Sequence, residues 1–171
     1  MKIEFSAPTL PATGVLALGV MEGRKLTASA KKLDAKMNGG LRHAMEKTRF
    51  KGKKDQSLTL LVPTGTKLDR LYVFGLGKGA DLDVLRQQAI GGQIYAALAD
   101  KEVKKVAVAV DAVDGCKTSP AEIAANIGFG ARLRSYRFDK YRTKEKPDAK
   151  PSLKTLSLMS TGTAQARTAF G

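Results

Sequence analysis

The groups in this chain that could do chemistry are few: one histidine, one cysteine, and 16 aspartates and glutamates scattered over 171 residues. A two-metal hydrolase needs several carboxylates converging on ions about 3.5 to 4 Å apart, with a positioned group to polarise the carbonyl. The acidic pairs here read differently. Asp81 and Asp83 fall where a helix should start and complement its dipole, while Asp111 and Asp114 flank the end of an apolar run, where turns form. His43 has no serine or cysteine motif around it, so a triad is unsupported and it reads as a helix-surface residue. Cys116 is alone, can form no intrachain disulfide, and reads as a small residue near a strand end. The run Gly75-Leu76-Gly77-Lys78-Gly79-Ala80 lies between a strand and a helix, the context in which backbone amides bind phosphate. Its spacing fits neither the dinucleotide fingerprint nor a Walker A loop, and Asp81 would repel an anion, so a tight turn accounts for it better. No catalytic, metal-binding or cofactor-binding residue follows from these patterns.

Charge is the abnormal property. Lysine and arginine total 30, leaving a net charge of +14, and such a field favours anionic partners. The cations gather in two blocks, eleven between Arg24 and Lys54 and nine between Arg132 and Lys154, which makes them candidate patches rather than an even coat. The candidate nucleic-acid contacts are Arg49, Lys51, Lys53 and Lys54 in the first block, and Arg137, Lys140, Arg142, Lys144 and Lys146 in the second. Tyr136, Phe138 and Tyr141 interleave with the second set, a pattern that can stack bases while cations neutralise phosphates. DNA is therefore a candidate partner. With six or more phosphate contacts, its affinity would fall about a thousandfold or more between roughly 50 and 200 mM salt. A solvated basic face explains the same residues, and no helix-turn-helix stands out.

A core must position these groups, and 43% hydrophobic residues over 171 suit one domain of ordinary size. The opening residues lack a signal peptide's apolar run and no stretch reaches about 18 apolar residues, so the chain reads as soluble and cytoplasmic, with no membrane partner. Ile3 to Phe5 and Gly14 to Val20 read as strands, and Thr27 to Lys47 as two helical pieces broken at Asn38-Gly39-Gly40. Ser57 to Val62 and Arg70 to Gly75 read as neighbouring inner strands, joined through a Pro63-Thr64-Gly65 turn. A helix is predicted over Asp81 to Asp100, with Gly91-Gly92 implying a close approach to the sheet. Val103 to Val110 reads as a central strand covered on both faces. Ser119-Pro120-Ala121-Glu122 is a capping box that starts another helix, in which Gly128 and Gly130 suggest tight packing. Leu153 to Met159 supplies a last strand. Residues 160–171 read as a short helix with nothing to pack on. The alternation gives an α/β fold, a three-layer α/β/α sandwich with a mixed sheet.

Phe74-Gly75-Leu76-Gly77-Lys78 after a strand, together with the segment from Gly130 to Lys146, resembles the amino-terminal domain of the leucyl (cytosol) aminopeptidase family. In that family a glycine-ending helix runs into Tyr-x-Phe-Asp-x-Tyr-Lys-x-Lys. Tyr136, Phe138, Asp139 and Tyr141 match it, and Arg142 stands where lysine is frequent, keeping the charge. The resemblance implies a macro-domain-like fold over residues 1–159, with 160–171 starting a linker helix to an absent catalytic domain. It implies a parent in which Asp, Glu and Lys of that domain hold two divalent metals, zinc or manganese, and release N-terminal amino acids from peptides. It also implies a parent homohexamer built through the catalytic halves. None of the ligand motifs can be matched here, so this chain is expected to be a non-catalytic accessory domain holding no cofactor. Some bacterial relatives bind DNA with help from this domain, and macro-like folds elsewhere bind ADP-ribose, so both alternatives stay open.

Overall fold

In a computed structural model the described residues are 1–99, 102–141 and 151–171, with only the backbone course described over 137–141. They form one mixed sheet from β1 (Lys2–Ser6), β2 (Thr13–Met21), β3 (Lys25–Leu26), β4 (Ser57–Leu61), β5 (Lys67–Gly77), β6 (Lys105–Ala109) and β7 (Thr155–Met159). The strand order is β1-β7-β6-β2-β5-β4. Strands β1, β7, β6, β2 and β5 are parallel, β4 runs antiparallel to β5, and β3 turns back on the end of β2.

A parallel sheet needs cover on both faces, because its side chains point alternately to each. Leu16, Leu18 and Val20 of β2 face helices α1 (Ala28–Lys36) and α2 (Gly40–Lys47), where Leu33, Leu41 and Met45 meet them. Ala17 of the same strand, with Phe74 of β5, Val108 of β6 and Leu158 of β7, faces α3 (Val84–Leu98) and α4 (Pro120–Tyr141), where Ile90, Ile94 and Ile127 close the core. The three-layer sandwich is therefore as expected. One strand placement is not, since β4 is an edge strand rather than an inner one; β7, the last in sequence, lies inside the sheet between β1 and β6. Apolar β-prone composition identifies a strand, but the order of strands is decided by the crossovers.

Helix α4 begins at the capping box, where the Ser119 amide donates to the Glu122 carboxylate at 3.0 Å and the Glu122 amide to Ser119 Oγ at 3.3 Å. Its backbone runs on past Gly130 to Tyr141, beyond the glycine where the family pattern would end it. Helix α3 starts at Val84 rather than Asp81, because the Asp83 carboxylate accepts the Arg86 amide at 2.8 Å and caps it there. Residue 100, the expected far end, lies outside the described residues. The close approach expected of Gly91 is to α4, not to the sheet. A Cβ on Gly91 would run into the Ile127 carbonyl and the Ala131 amide, and one on Gly130 into the Gln88 carbonyl.

Helix α5 (Thr163–Phe170) does have something to pack on. Ala166 is fully buried, the Phe170 ring meets Phe5 edge-on at 5.4 Å, and the Arg132 guanidinium lies 4.9 Å from the Phe170 centroid. Arg167 Nη2 donates to the Phe5 carbonyl at 3.2 Å. Two turns are too short to hold alone, and the contacts with β1 and α4 supply what propensity does not. No helix among the described residues is long and apolar enough to cross a membrane.

Two tests follow from this packing. Gly91→Ala should destabilise the domain by about 1 to 3 kcal/mol in urea melts through overpacking, although alanine is the better helix former. Gly92→Ala, whose Cβ would have Arg134 Cβ 3.8 Å away, should instead be neutral or stabilising by up to about 1 kcal/mol. On β1, Lys2 bonds the Glu4 carboxylate at 2.8 Å and, with Lys105 nearby, holds its pKa below the usual carboxylate range. A lowered carboxyl contributes stability above its ordinary pKa and loses it as pH falls through the lowered value. Carboxyl NMR should show Glu4 titrating low in the wild type and moving upward in Lys2→Ala.

Candidate functional site

The segment from Thr48 to Gln56 folds over the carboxyl ends of β2 and β5, held by backbone hydrogen bonds and by the side chains of Arg24, Gln56 and Arg86. The Gly77 amide donates to Gly52 O at 2.9 Å, the Gly75 amide to Gln56 O at 2.8 Å, and the Gly23 and Arg24 amides both to Lys51 O. Gln56 Oε1 accepts from the Lys51 and Lys53 amides at 2.9 and 3.1 Å, and Phe50 is buried beneath. Gly75 has no side chain because the Lys53 carbonyl occupies the place a Cβ would take, and Gly79 is pressed in the same way by the Asp114 carbonyl. The glycine run that resembled a phosphate loop is therefore filled by the protein's own backbone, in keeping with a tight turn.

Arg86 locks this arrangement from below. Its side chain is only 7% exposed, with Nη1 on Asp55 Oδ1 at 3.0 Å and Nη2 on the Gly75 carbonyl at 3.3 Å. Beside it opens a crevice of about 770 Å³ lined by Glu22, Asp81 and Asp83, by Lys53, Lys54 and Lys78, and by Leu76 and Leu85. A second space, between the carboxyl ends of β2 and β6, is lined by Gly19, Thr27 and Asp111 and measures about 10 Å³. That is room for about one water, far below a nucleotide.

Among the described residues, no three of His, Cys, Asp and Glu gather in a way that could hold a metal ion. Several carboxylates serve helix starts instead. Asp34 accepts the Arg42 amide at the start of α2 at 3.1 Å, and Asp111 accepts both the amide and the hydroxyl of Ser29 at the start of α1. Asp111 was expected to serve a local turn; its partner lies 82 residues away in sequence, and no local signal marks such a cap. His43 is exposed on α2, and Cys116 Sγ touches the Leu82 carbonyl at 3.5 Å.

The model of the cytosol aminopeptidase family's N-terminal domain matches residues 17–145. The chain belongs to the cytosol aminopeptidase family. It is 35% identical to a probable cytosol aminopeptidase of Caulobacter vibrioides over 99% of its own length and 34% of that protein's. It is 39% identical to one of Chelativorans, over 83% of this chain and 28% of the other. The chain thus spans about a third of the length of the curated relatives it matches. Among solved structures, a mutant tomato leucine aminopeptidase matches 99% of this chain and 34% of its own, with a TM-score of 0.78 at 24% identity. The bottromycin maturation enzyme BotP matches 91% of this chain and 29% of its own, at 17% identity and a TM-score of 0.61.

Within this aminopeptidase-family domain the candidate nucleic-acid contacts among the described residues fall at two ends of the sheet. Arg49, Lys51, Lys53 and Lys54 are all exposed on the loop at the carboxyl ends of the strands. Arg137 and Lys140 lie in the last turns of α4, which returns over its 22 residues, about 33 Å, toward the strands' amino ends. Arg142, Lys144 and Lys146 lie outside the described residues. Arg86 and Gln56, which shape the loop, carried no signal in the sequence because both act through contacts that only the fold creates. Arg86→Met should therefore cost about 1 to 3 kcal/mol by leaving the Gly75 carbonyl and Asp55 without their donor. It should also speed trypsin cleavage after Lys51, Lys53 and Lys54, and an unchanged cleavage rate would show that the loop is held without it.

Proposed function

We propose that this chain is a non-catalytic accessory domain of a metal-dependent leucyl aminopeptidase. In the parent, a catalytic domain in the same chain would hold two divalent ions, zinc or manganese, and remove N-terminal residues from peptides. The match of residues 17–145 to the family's N-terminal domain carries the reading. The described carboxylates fit the metals poorly, since Asp34, Asp83 and Asp111 each accept a helix-start amide and no metal-binding group forms among the described residues. A carboxylate engaged in this way cannot be moved to an ion without uncovering a buried amide.

In this reading residues 1–159 are the domain and 160–171 begin the link to the catalytic part. Because α5 is anchored by Phe170, Arg167 and Ala166, that link would leave the domain in a fixed direction. A homohexamer assembled through the catalytic halves would then carry these domains at set positions. Duplex DNA, the alternative partner, would have to bridge basic groups at opposite ends of the sheet.

With Mn²⁺ or Zn²⁺ added, the 171-residue chain should leave leucine p-nitroanilide uncleaved, while a chain extended to the full length of its relatives should cleave it. Turnover by the purified domain, abolished by a chelator, would refute the proposal.

A further inference from the structure

The crevice beside Arg86 has the build of a binding site that the accessory-domain reading does not use. Its volume of about 770 Å³ falls within the usual range for small-ligand pockets, roughly 300 to 1,000 Å³. It lies at the carboxyl ends of parallel strands, the place where open α/β sheets bind ligands. One wall is held rigid by unusual means. A guanidinium buried to 93% clamps the loop through Asp55 and the Gly75 carbonyl, while Gln56 ties down two further amides of the same loop. Walls fixed in advance reduce the entropy lost on binding.

The lining charges select the ligand. Asp83 is engaged in capping α3 and Arg86 in holding the loop, which leaves Lys53, Lys54 and Lys78 together with Glu22 and Asp81 as the charged groups on the lining. None of these five forms an ion pair with another described residue. An anion alone would meet Glu22 and Asp81, and a cation alone would meet three lysines. A ligand carrying both charges satisfies both sets, and the exposed side chain of Leu85 on the same lining offers apolar surface for a nonpolar body. We infer that the crevice binds a zwitterion of short-peptide size, its carboxylate toward Lys53, Lys54 and Lys78 and its ammonium toward Glu22 and Asp81. This depends on the crevice alone and stands or falls separately from the accessory-domain reading.

Calorimetry or amide NMR on the 171-residue chain tests it with four probes: Leu-Leu, N-acetyl-Leu-Leu, Leu-Leu amide and inorganic phosphate. Leu-Leu should bind at least about tenfold more tightly than either capped form, since each cap removes one of the two charge contacts. Its shifts should map to Gly77, Lys78 and the loop at Lys53. The triple variant Lys53→Ala, Lys54→Ala, Lys78→Ala should lose that preference while melting like the wild type. Glu22→Gln with Asp81→Asn should weaken Leu-Leu but leave N-acetyl-Leu-Leu unchanged or tighter. Equal binding of the capped and free peptides, tighter binding of phosphate, or no shift at the crevice with any probe would overturn the inference. Because the caps change the ligand and not the protein, this outcome can be read even if a variant fails to fold.

Discussion

Backbone pressed against backbone is the constraint on which the rest of this domain depends. Between α3 and α4 it occurs at Gly91 and Gly130, where each helix uses the absent Cβ of the other to approach its main chain. At the carboxyl ends of β2 and β5 it occurs at Gly75 and Gly79, which admit the carbonyls of Lys53 and Asp114. The first contact sets how closely α3 and α4 lie side by side over the sheet. The second brings the basic loop down onto the strand ends and leaves the crevice open beside it. Both contacts trade the conformational cost of glycine for close approach, and a methyl group at either would have to move main chain rather than a side chain.

Several of the few acidic residues serve the backbone or a buried cation. Asp34, Asp83 and Asp111 lie at helix starts, where a carboxylate accepts orphan amides and complements the dipole. Asp55 is held by Arg86. Lysine and arginine outnumber aspartate and glutamate by 30 to 16, and exposed loops such as 49–54 carry part of that excess at the surface. The same use of aspartate makes these residues poor candidates for metal ligands.

Much of the architecture was legible in the sequence because it is written in local pattern. The capping box at Ser119 and Glu122, the period-four apolar residues at Ile123 and Ile127, and the apolar run at Val106 to Val110 each correspond to what forms. Where the reading failed, the deciding contact was distant. Gly91 signals a close approach but not its partner, and β4 has an inner strand's composition although the crossovers leave it at an edge. Phe170 closes a short helix onto Phe5, 165 residues earlier, which no window over residues 160–171 could reveal. The candidate site was legible only in part. Lys53 and Lys54 stood out by charge, but Arg86 and Gln56, which give the loop its shape, looked like ordinary helix and loop residues.

The family relationship and the physical reading bear on different questions. Membership rests on residues 17–145, and the conserved shape extends to a tomato enzyme at 24% identity, where side chains differ at three positions in four. What survives such divergence is the arrangement of strands and helices, which is why likeness of fold leaves the chemistry of any one surface undecided. The crevice charges belong to this chain and must be judged by their own geometry. If chemistry of the parent resides elsewhere, the domain is free to keep a fixed scaffold while its loops vary, since nothing on them must hold a transition state. A buried guanidinium under a surface loop is then hard to explain as scaffold alone, because a core built without polar partners at that place would need no buried charge. Its position beneath the Lys53 loop indicates that the shape of that loop, rather than the stability of the core, is what Arg86 maintains.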